Sequence, residues 1–407
     1  MTLSPLAPAS FPELATIDGV TLSTAASAMK YQGRDDMLLM RLDEGTEMAA
    51  VFTRSDTAAA PVEWCRQRVS GDIPARAVLV NAGNANAFTG TGGIAAVTAC
   101  CSAVGEALGC NADAVMMAST GVIGEPLNTA MLLPHMPALA AGHTSWHAAA
   151  EAIRTTDTFA KGASATATIG DRTVQISGIA KGSGMIAPDM ATMLGFIATD
   201  AALPHRVLTS LLTDATRRSF NAITVDSDTS TNDSVFLMAT GKAGNPLPDS
   251  ADDPGLAGFR AALDQVMQDL ATQIVRDGEG ATKFITIDVS GAADDATAHR
   301  IGLAVANSPL VKTAIAGEDA NWGRIVMAVG KAGAAIEQSQ LTISIGGVLI
   351  ASGGARVEDY DEAPVAAHMK GANIAISLTV GAGGGTARIW TCDLTHGYIS
   401  INADYRS

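Results

Sequence analysis

Thr192 closes a loop and opens an apolar run, a place where a hydroxyl can attack the backbone beside it. Residues 181–200 read KGSGMIAPDMATMLGFIATD. Gly182, Gly184 and Pro188 impose unusual backbone angles ahead of Thr192, and residues 193–198 have the length and character of a buried strand. Attack of the Thr192 hydroxyl on the Ala191 carbonyl would turn that peptide bond into an ester. Water would then release it, leaving Thr192 with its hydroxyl beside a new α-amine. Such an amine titrates near ~8, against ~10.4 for a lysine, so nucleophile and general base would sit in one residue. Taken alone, the pattern also describes a plain glycine-rich turn before a core strand.

Other residues of the right chemistry stand at loop ends. Lys181 precedes Thr192 in the same loop, where an ammonium can bind a substrate carboxylate or stabilise a developing negative charge. Thr120 and Gly121, at the end of an apolar run, can offer a hydroxyl and a backbone N–H to an oxyanion. Glu279 lies between Gly278 and Gly280 and can hold a substrate ammonium, or be an exposed turn acid. Asp226, Asp228 and Asp233 lack the Gly and Glu spacing of a calcium loop. His143 and His147 lack the glutamate of a zinc hydrolase helix, and no metal is expected. Residues 381–385 do not make a dinucleotide fingerprint. The polar, aromatic and cationic run Asn321-Trp322-Gly323-Arg324 reads as a site or interface loop, or as a helix capped by Asn321.

These residues need a large scaffold. A chain of 407 residues exceeds what one core usually serves, so two or three core-bearing units are expected. The net charge of -15 argues against nucleic acid or an anionic membrane as partner. Five cysteines (Cys65, Cys100, Cys101, Cys110, Cys392) without metal or redox spacing suit a reducing compartment. The first residues lack signal-peptide character and no apolar run reaches the ~18 residues of a membrane span, so a cytoplasmic protein is expected.

The periodicity predicts short strands around residues 19–22, 36–42 and 48–53, then a strand at 77–80 running into the polar loop 81–86. A helix from Gly93, with the stripe Ile94, Val97, Cys101, Val104 and Leu108, should stop at Gly109. A strand at 114–118 should lead into the loop 119–126, followed by a helix at 146–154 and a hairpin at 164–179 turning at Gly170-Asp171. Beyond Thr192 the pattern predicts helices at 204–219, 254–276, 296–307 and from Trp322. It predicts strands near 223–225, 234–239, 284–289 and 310–316. The chain should end in hairpins: 341–350, then 373–380 with 387–392, and 398–401. Mixed sheets with helices outside are the expected α/β (α+β) architecture.

Eight motifs, in order, resemble the ornithine acetyltransferase (glutamate N-acetyltransferase) family across nearly the whole chain. They are NAGNANAFTG from Asn81, STGVIGEP from Ser119, TTDTF from Thr155 and KGSGMIAPDMATML from Lys181. DSDTSTND from Asp226, GEGATK from Gly278, GEDANWGRI from Gly317 and the terminal NADYRS complete the set. The resemblance implies the family's αβ sandwich of mixed sheets and self-cleavage between Ala191 and Thr192. It thus implies an α chain of residues 1–191, a β chain of residues 192–407, and a heterotetramer of two of each. It also implies acetyl transfer from N-acetylornithine to glutamate, releasing ornithine, in arginine biosynthesis. No tightly bound cofactor is implied, and some members also take acetyl-CoA as co-substrate. Carried over, Thr192 is the nucleophile and Thr120 with Gly121 the oxyanion hole. Thr155 (or its neighbour Thr156), Lys181, Thr192, Glu279, Asn402 and Ser407 match substrate-binding positions. This chain departs at Asp189, where the family often has asparagine, and at Ser227, where it often has glycine. The alternative enzyme class is the self-processing N-terminal-nucleophile aminopeptidases and amidohydrolases, whose β-peptidyl members use a serine where this chain has Thr192. A two-chain binding protein without catalysis is disfavoured by the presence of Thr192, Thr120 and Glu279 together.

Overall fold

A computed structural model describes residues 2–69, 73–187 and 193–404. The strands in chain order are β1 (Val20–Ala25), β2 (Met37–Leu42), β3 (Glu47–Phe52), β4 (Ala77–Asn84), β5 (Val115–Val122), β6 (Lys161–Ile169), β7 (Arg172–Lys181) and β8 (Leu194–Thr199). They continue as β9 (Ser234–Ala239), β10 (Phe284–Ala292), β11 (Thr342–Ile345), β12 (Val348–Ser352), β13 (Ala355–Arg356), β14 (Asn373–Thr379) and β15 (Gly385–Cys392). Three sheets result, ordered β1-β2-β4-β5, β3-β9-β8-β7-β6 and β13-β12-β11-β14-β10-β15. Each mixes parallel and antiparallel pairs; β4 with β5, β8 with β9 and β10 with β14 are the parallel ones.

The apolar run after Thr192 becomes β8, buried along its length because it lies between two cores. Leu194, Phe196 and Ala198 face the core shared with the four-stranded sheet. Met193 and Ile197 face the other core, built on helices His205–Arg217 and Ala257–Arg276. A strand covered on both faces has no polar face to alternate with, which is why the sequence reads as a continuous apolar run. Full burial of each large side chain contributes ~1.5–3 kcal/mol.

Local signals placed many ends correctly. Gly109 adopts φ 68° as the left-handed cap of helix Gly90–Leu108, and Gly170 (φ 64°) turns the β6–β7 hairpin. Helix Gly90–Leu108 is long and apolar enough to span a membrane by length and composition, contrary to the expectation that no run would be. Here its Val97, Cys100, Cys101 and Val104 pack into the core over the four-stranded sheet, while Ile94 is exposed.

Several expectations are corrected. Residues 310–316 form a helix, Pro309–Ala316, because Val311, Lys312, Ala314 and Ile315 recur at helical spacing as its buried face. Residues 398–401 lie in helix His396–Asp404 rather than a strand. β14 and β15 do not pair as a hairpin: β10 lies between them, parallel to one and antiparallel to the other. Residues 223–225 supply an isolated bridge, Ile223 to Trp390, instead of a strand. Asn81–Asn84 and Ser119–Val122, read as loops, continue β4 and β5, since their polar side chains bond across the strands.

Candidate active site

The site grows from the ends of β5 and β7. β4 and β5 run parallel until Gly121 meets Gly83. Gly121 has φ 135°, and a Cβ there would stand 2.2 Å from the Gly83 carbonyl carbon, so glycine alone fits this close backbone approach. Asparagines brace the end. The Asn81 carboxamide accepts from the Ser119 hydroxyl at 2.6 Å, and Asn232 Nδ2 donates to the carbonyls of Ala85 (2.6 Å) and Ser119 (2.9 Å). Thr120 is thereby presented from a rigid edge.

Lys181 ends β7 and is buried. Across the five-stranded sheet it sits in one row with Leu194, Ser234 and Phe52. Its Nζ crosses to the facing sheet and donates to Thr120 Oγ1 at 3.0 Å. Because the threonine oxygen accepts this bond, its own proton stays free for another acceptor. Burial pushes the Lys181 ammonium below its ordinary range and Lys161 adds to this, while Asp157, Asp233 and Glu279 pull the other way.

An ionic cluster that sequence reasoning missed anchors the loop after Lys181. Lys161 Nζ, fully buried, donates to Asp157 Oδ1 (2.7 Å) and Asp277 Oδ2 (2.5 Å). Asp157 Oδ1 also accepts the Gly182 N–H at 2.6 Å. Burial pushes the Asp157 carboxyl up, but Lys161, Lys181 and its hydrogen bonds outweigh this and hold it well below the usual carboxylate range. Asp226 grips the same loop further on, accepting the N–H groups of Met185 (2.6 Å) and Ile186 (2.8 Å). Its acidic run thus serves the loop. The next residue, Ser227, adopts φ 65°, the left-handed conformation that suits a glycine better than a serine.

Glu279 enters from the far side of the loop. Its N–H donates to the Ser183 carbonyl at 3.0 Å, and a Cβ on Gly184 would lie 2.5 Å from its carboxylate. Asn402 Nδ2 donates to Glu279 Oε2 at 2.8 Å. The helix carrying Asn402 reaches this point because Gly280 (φ 73°) leaves no Cβ to strike Tyr398 N, 2.3 Å away. Thr156 Oγ1 and Ser183 Oγ are 2.7 Å apart, whereas Thr155 uses its N–H to cap Asp157 Oδ2 at 3.1 Å. The hydroxyl on the Lys181 loop is therefore that of Thr156. Thr192, Ala191, Asp189 and Ser407 lie outside the described residues.

Asp233 was considered only as a calcium ligand. It is buried, its Oδ1 accepts the Met193 N–H at 2.9 Å, and its Oδ2 has no hydrogen-bond partner among the described residues. An unpaired buried group of this kind costs ~1–3 kcal/mol. Burial lifts its carboxyl well above the usual range, against the Met193 N–H and Lys181. Asn321, by contrast, is a helix cap: its side chain accepts the Arg324 N–H at 3.2 Å. A cavity of about 1280 Å³, lined by Arg54, Arg66, Arg217, Arg218, Arg388 and Trp390 among others, contains none of the residues predicted for the site. The buried Lys181–Thr120 pair lies outside it.

A buried lysine that donates to a strand-end threonine hydroxyl beside a glycine, on stacked mixed sheets flanked by helices, is an arrangement that suits acyl transfer. The comparisons are more specific. The chain matches the ArgJ family over residues 21–407 and belongs to it. It is 54% identical to the arginine biosynthesis bifunctional protein ArgJ of Gluconobacter oxydans, covering 100% of this chain and 96% of that protein. The protein of that name from Ruegeria pomeroyi is also 54% identical, with 100% and 98% covered. A crystal structure of arginine biosynthesis bifunctional protein argJ from Bacillus halodurans is similar at 43% identity and TM-score 0.51. It covers 53% of this chain and 100% of that one.

Proposed function

We infer that this protein transfers the acetyl group of N2-acetyl-L-ornithine to L-glutamate through an acetyl ester on Thr192, giving L-ornithine and N-acetyl-L-glutamate for arginine biosynthesis. The observation that carries this is the 3.0 Å bond from Lys181 to Thr120, which joins the loop before Thr192 to the Thr120–Gly121 strand end inside the protein. Family membership and the naming of the relatives as bifunctional arginine-biosynthesis proteins support it. The word bifunctional in those names is consistent with a second activity, for which acetyl-CoA is the donor proposed here.

Cleavage at Ala191–Thr192 comes first, giving an α chain (1–191) and a β chain (192–407) that stay together, two of each in the assembly. The Thr192 hydroxyl then attacks the acetyl carbonyl while the new α-amine takes its proton. Charge developing on the carbonyl oxygen is met by the Thr120 O–H and the Gly121 N–H, with Lys181 strengthening the former as a donor. The C–N bond breaks, ornithine leaves with the proton, and the acetyl group remains on Thr192. Glutamate's amine reverses the sequence. Glu279, steadied by Asn402, holds an ammonium of the substrate in this reading, with Thr155 or Thr156 and Ser407 as further substrate contacts. One site serves donor and acceptor in turn, so the kinetics are ping-pong.

Intact mass spectrometry tests this directly. The second chain should begin Thr-Met-Leu and gain one acetyl group with N-acetylornithine alone, losing it when glutamate is added. Thr192→Ala should remain a single uncut chain. Absence of acetylated chain under rapid quench, with intersecting double-reciprocal lines, would refute the mechanism.

A further inference from the structure

Four charged side chains are buried at one end of the β6–β7 pair: Asp157, Lys161, Lys181 and Asp277. In the strand register Lys161 stands opposite Ala180, so its side chain leaves the sheet on the face opposite to that of Lys181, the next residue along β7. On its own face Lys161 Nζ is held by Asp157 Oδ1 at 2.7 Å and Asp277 Oδ2 at 2.5 Å. On the other face Lys181 Nζ donates to Thr120 Oγ1 at 3.0 Å.

One carboxylate joins the two faces. Asp157 Oδ1 also accepts the Gly182 N–H at 2.6 Å, which brings its charge to the residue that follows Lys181. One ammonium between two ionised carboxylates leaves a negative charge in excess, and a buried excess is costly unless another cation lies near. Lys181 is that cation. It has the converse need, since burial works against its ammonium; Asp157 leads the groups that oppose this, ahead of Asp233 and Glu279, while Lys161 sides with burial. Of the two carboxylates, Asp157 is the one held ionised. Burial raises its carboxyl, but Lys161, Lys181 and the Gly182 N–H outweigh this, whereas burial lifts that of Asp277 despite Lys161.

Resting on the reading of Lys181 as the cation that strengthens Thr120 as a donor, we propose that Asp157 is a positioning residue for that pair: pinned by Lys161 and Asp277 on one face of the sheet, it supplies the counter-charge that keeps Lys181 an ammonium on the other. A charged Lys181 donates to Thr120 Oγ1 and leaves the threonine proton for the substrate oxygen. Holding the loop at Gly182 would need only an acceptor oxygen. An asparagine would serve for that.

The test is the pH dependence of kcat in Asp157→Asn, made in the full-length chain and assayed with N-acetylornithine and saturating glutamate. Asparagine keeps an oxygen for the Gly182 N–H and Lys161 and gives up the bond from the Thr155 N–H, a loss that does not vary with pH. Activity that needs the Lys181 ammonium is lost as pH rises through its pKa, and removing a nearby negative charge lowers that pKa. The alkaline limb of kcat should therefore move to lower pH by about one unit, with KM for N-acetylornithine within about 3-fold. Asp277→Asn removes a charge on the far side of Lys161, so its limb should move the same way by less. A limb that stays in Asp157→Asn, with kcat lowered equally at every pH, overturns the proposal, because Asp157 would then only hold the loop. So does a larger shift in Asp277→Asn than in Asp157→Asn. If Asp157→Asn does not fold, Asp277→Asn decides, since its asparagine keeps an oxygen for Lys161 and the Thr158 N–H; an unmoved limb there overturns the proposal. Lys181→Arg separates the underlying reading: a guanidinium stays charged throughout, so the limb should vanish. A limb that persists in that variant would defeat the reading of Lys181 rather than the role of Asp157.

Discussion

Replacing Gly121 by alanine should cripple transfer without removing a single functional group. The added Cβ would lie 2.2 Å from the Gly83 carbonyl carbon, 2.5 Å from Asn84 N and 2.6 Å from Gly83 O, all backbone atoms. Carbon–carbon contacts settle near ~3.5 Å, so the β4 and β5 ends must separate by about 1.3 Å. No side-chain rotation can relieve this. Holding alanine at φ 135° adds a further cost of order ~1–3 kcal/mol. A misplacement of about 1 Å is worth roughly 10²-fold in rate, so kcat should fall by at least that factor, with KM for N-acetylornithine changing less. Steady-state assays with N-acetylornithine and glutamate, paired with thermal unfolding, would show the lower kcat together with a lower Tm. Thr120→Ala serves as comparison: it deletes the hydroxyl that accepts from Lys181 but leaves the backbone alone, so kcat should fall similarly with a smaller loss of Tm. Gly121→Ala with kcat within 3-fold of wild type would refute the reasoning, because the strand end would then not position the oxyanion donors.

Gly184→Ala would place a Cβ 2.5 Å from the Glu279 carboxylate, a movable side chain rather than backbone. KM for N-acetylornithine should therefore rise several-fold while Tm changes little; an unchanged KM would remove Glu279 from substrate binding. Ser227→Gly should stabilise the protein by about 0.5–1 kcal/mol in urea unfolding. Relief of a left-handed residue, ~1–2 kcal/mol, outweighs the entropy of one more glycine, ~0.5–1 kcal/mol. A less stable variant would mean that the Ser227 hydroxyl, which donates to the Asp226 carbonyl at 2.5 Å, matters more than the backbone angle.

Features written in a few adjacent residues were legible from the sequence alone. The turn at Gly170, the cap at Gly109, the long helix ending at Arg276 and the buried strand after Thr192 all follow from local conformational preference and apolar spacing. Thr120, Gly121, Lys181 and Glu279 were also legible as candidates, the first three where an apolar run meets a glycine and Glu279 between two glycines. The segment 310–316 was misread because a short apolar run fits strand and helix alike. Its buried Lys312 explains itself only through the Cys392 carbonyl and Thr391 Oγ1, far along the chain.

What the tertiary structure alone decided is which of these residues meet. Lys181 finds Thr120 at a separation of 61 residues, and Lys161 finds Asp277 at 116. Asn232 braces Ser119 across 113 residues, and Asn402 reaches Glu279 across 123. None of these pairs leaves a mark on local periodicity, because a hydrogen bond between distant strands depends on sheet order and register rather than on neighbouring side chains. The insertion of β10 between β14 and β15 is of the same kind: two strands joined by a glycine-rich turn look like a hairpin until a third, supplied from elsewhere, satisfies their backbone groups instead. The chain's own residues thus specify a candidate nucleophile and its candidate helpers, while stacking two sheets face to face brings a lysine and a strand-end threonine together as one buried hydrogen-bonded pair.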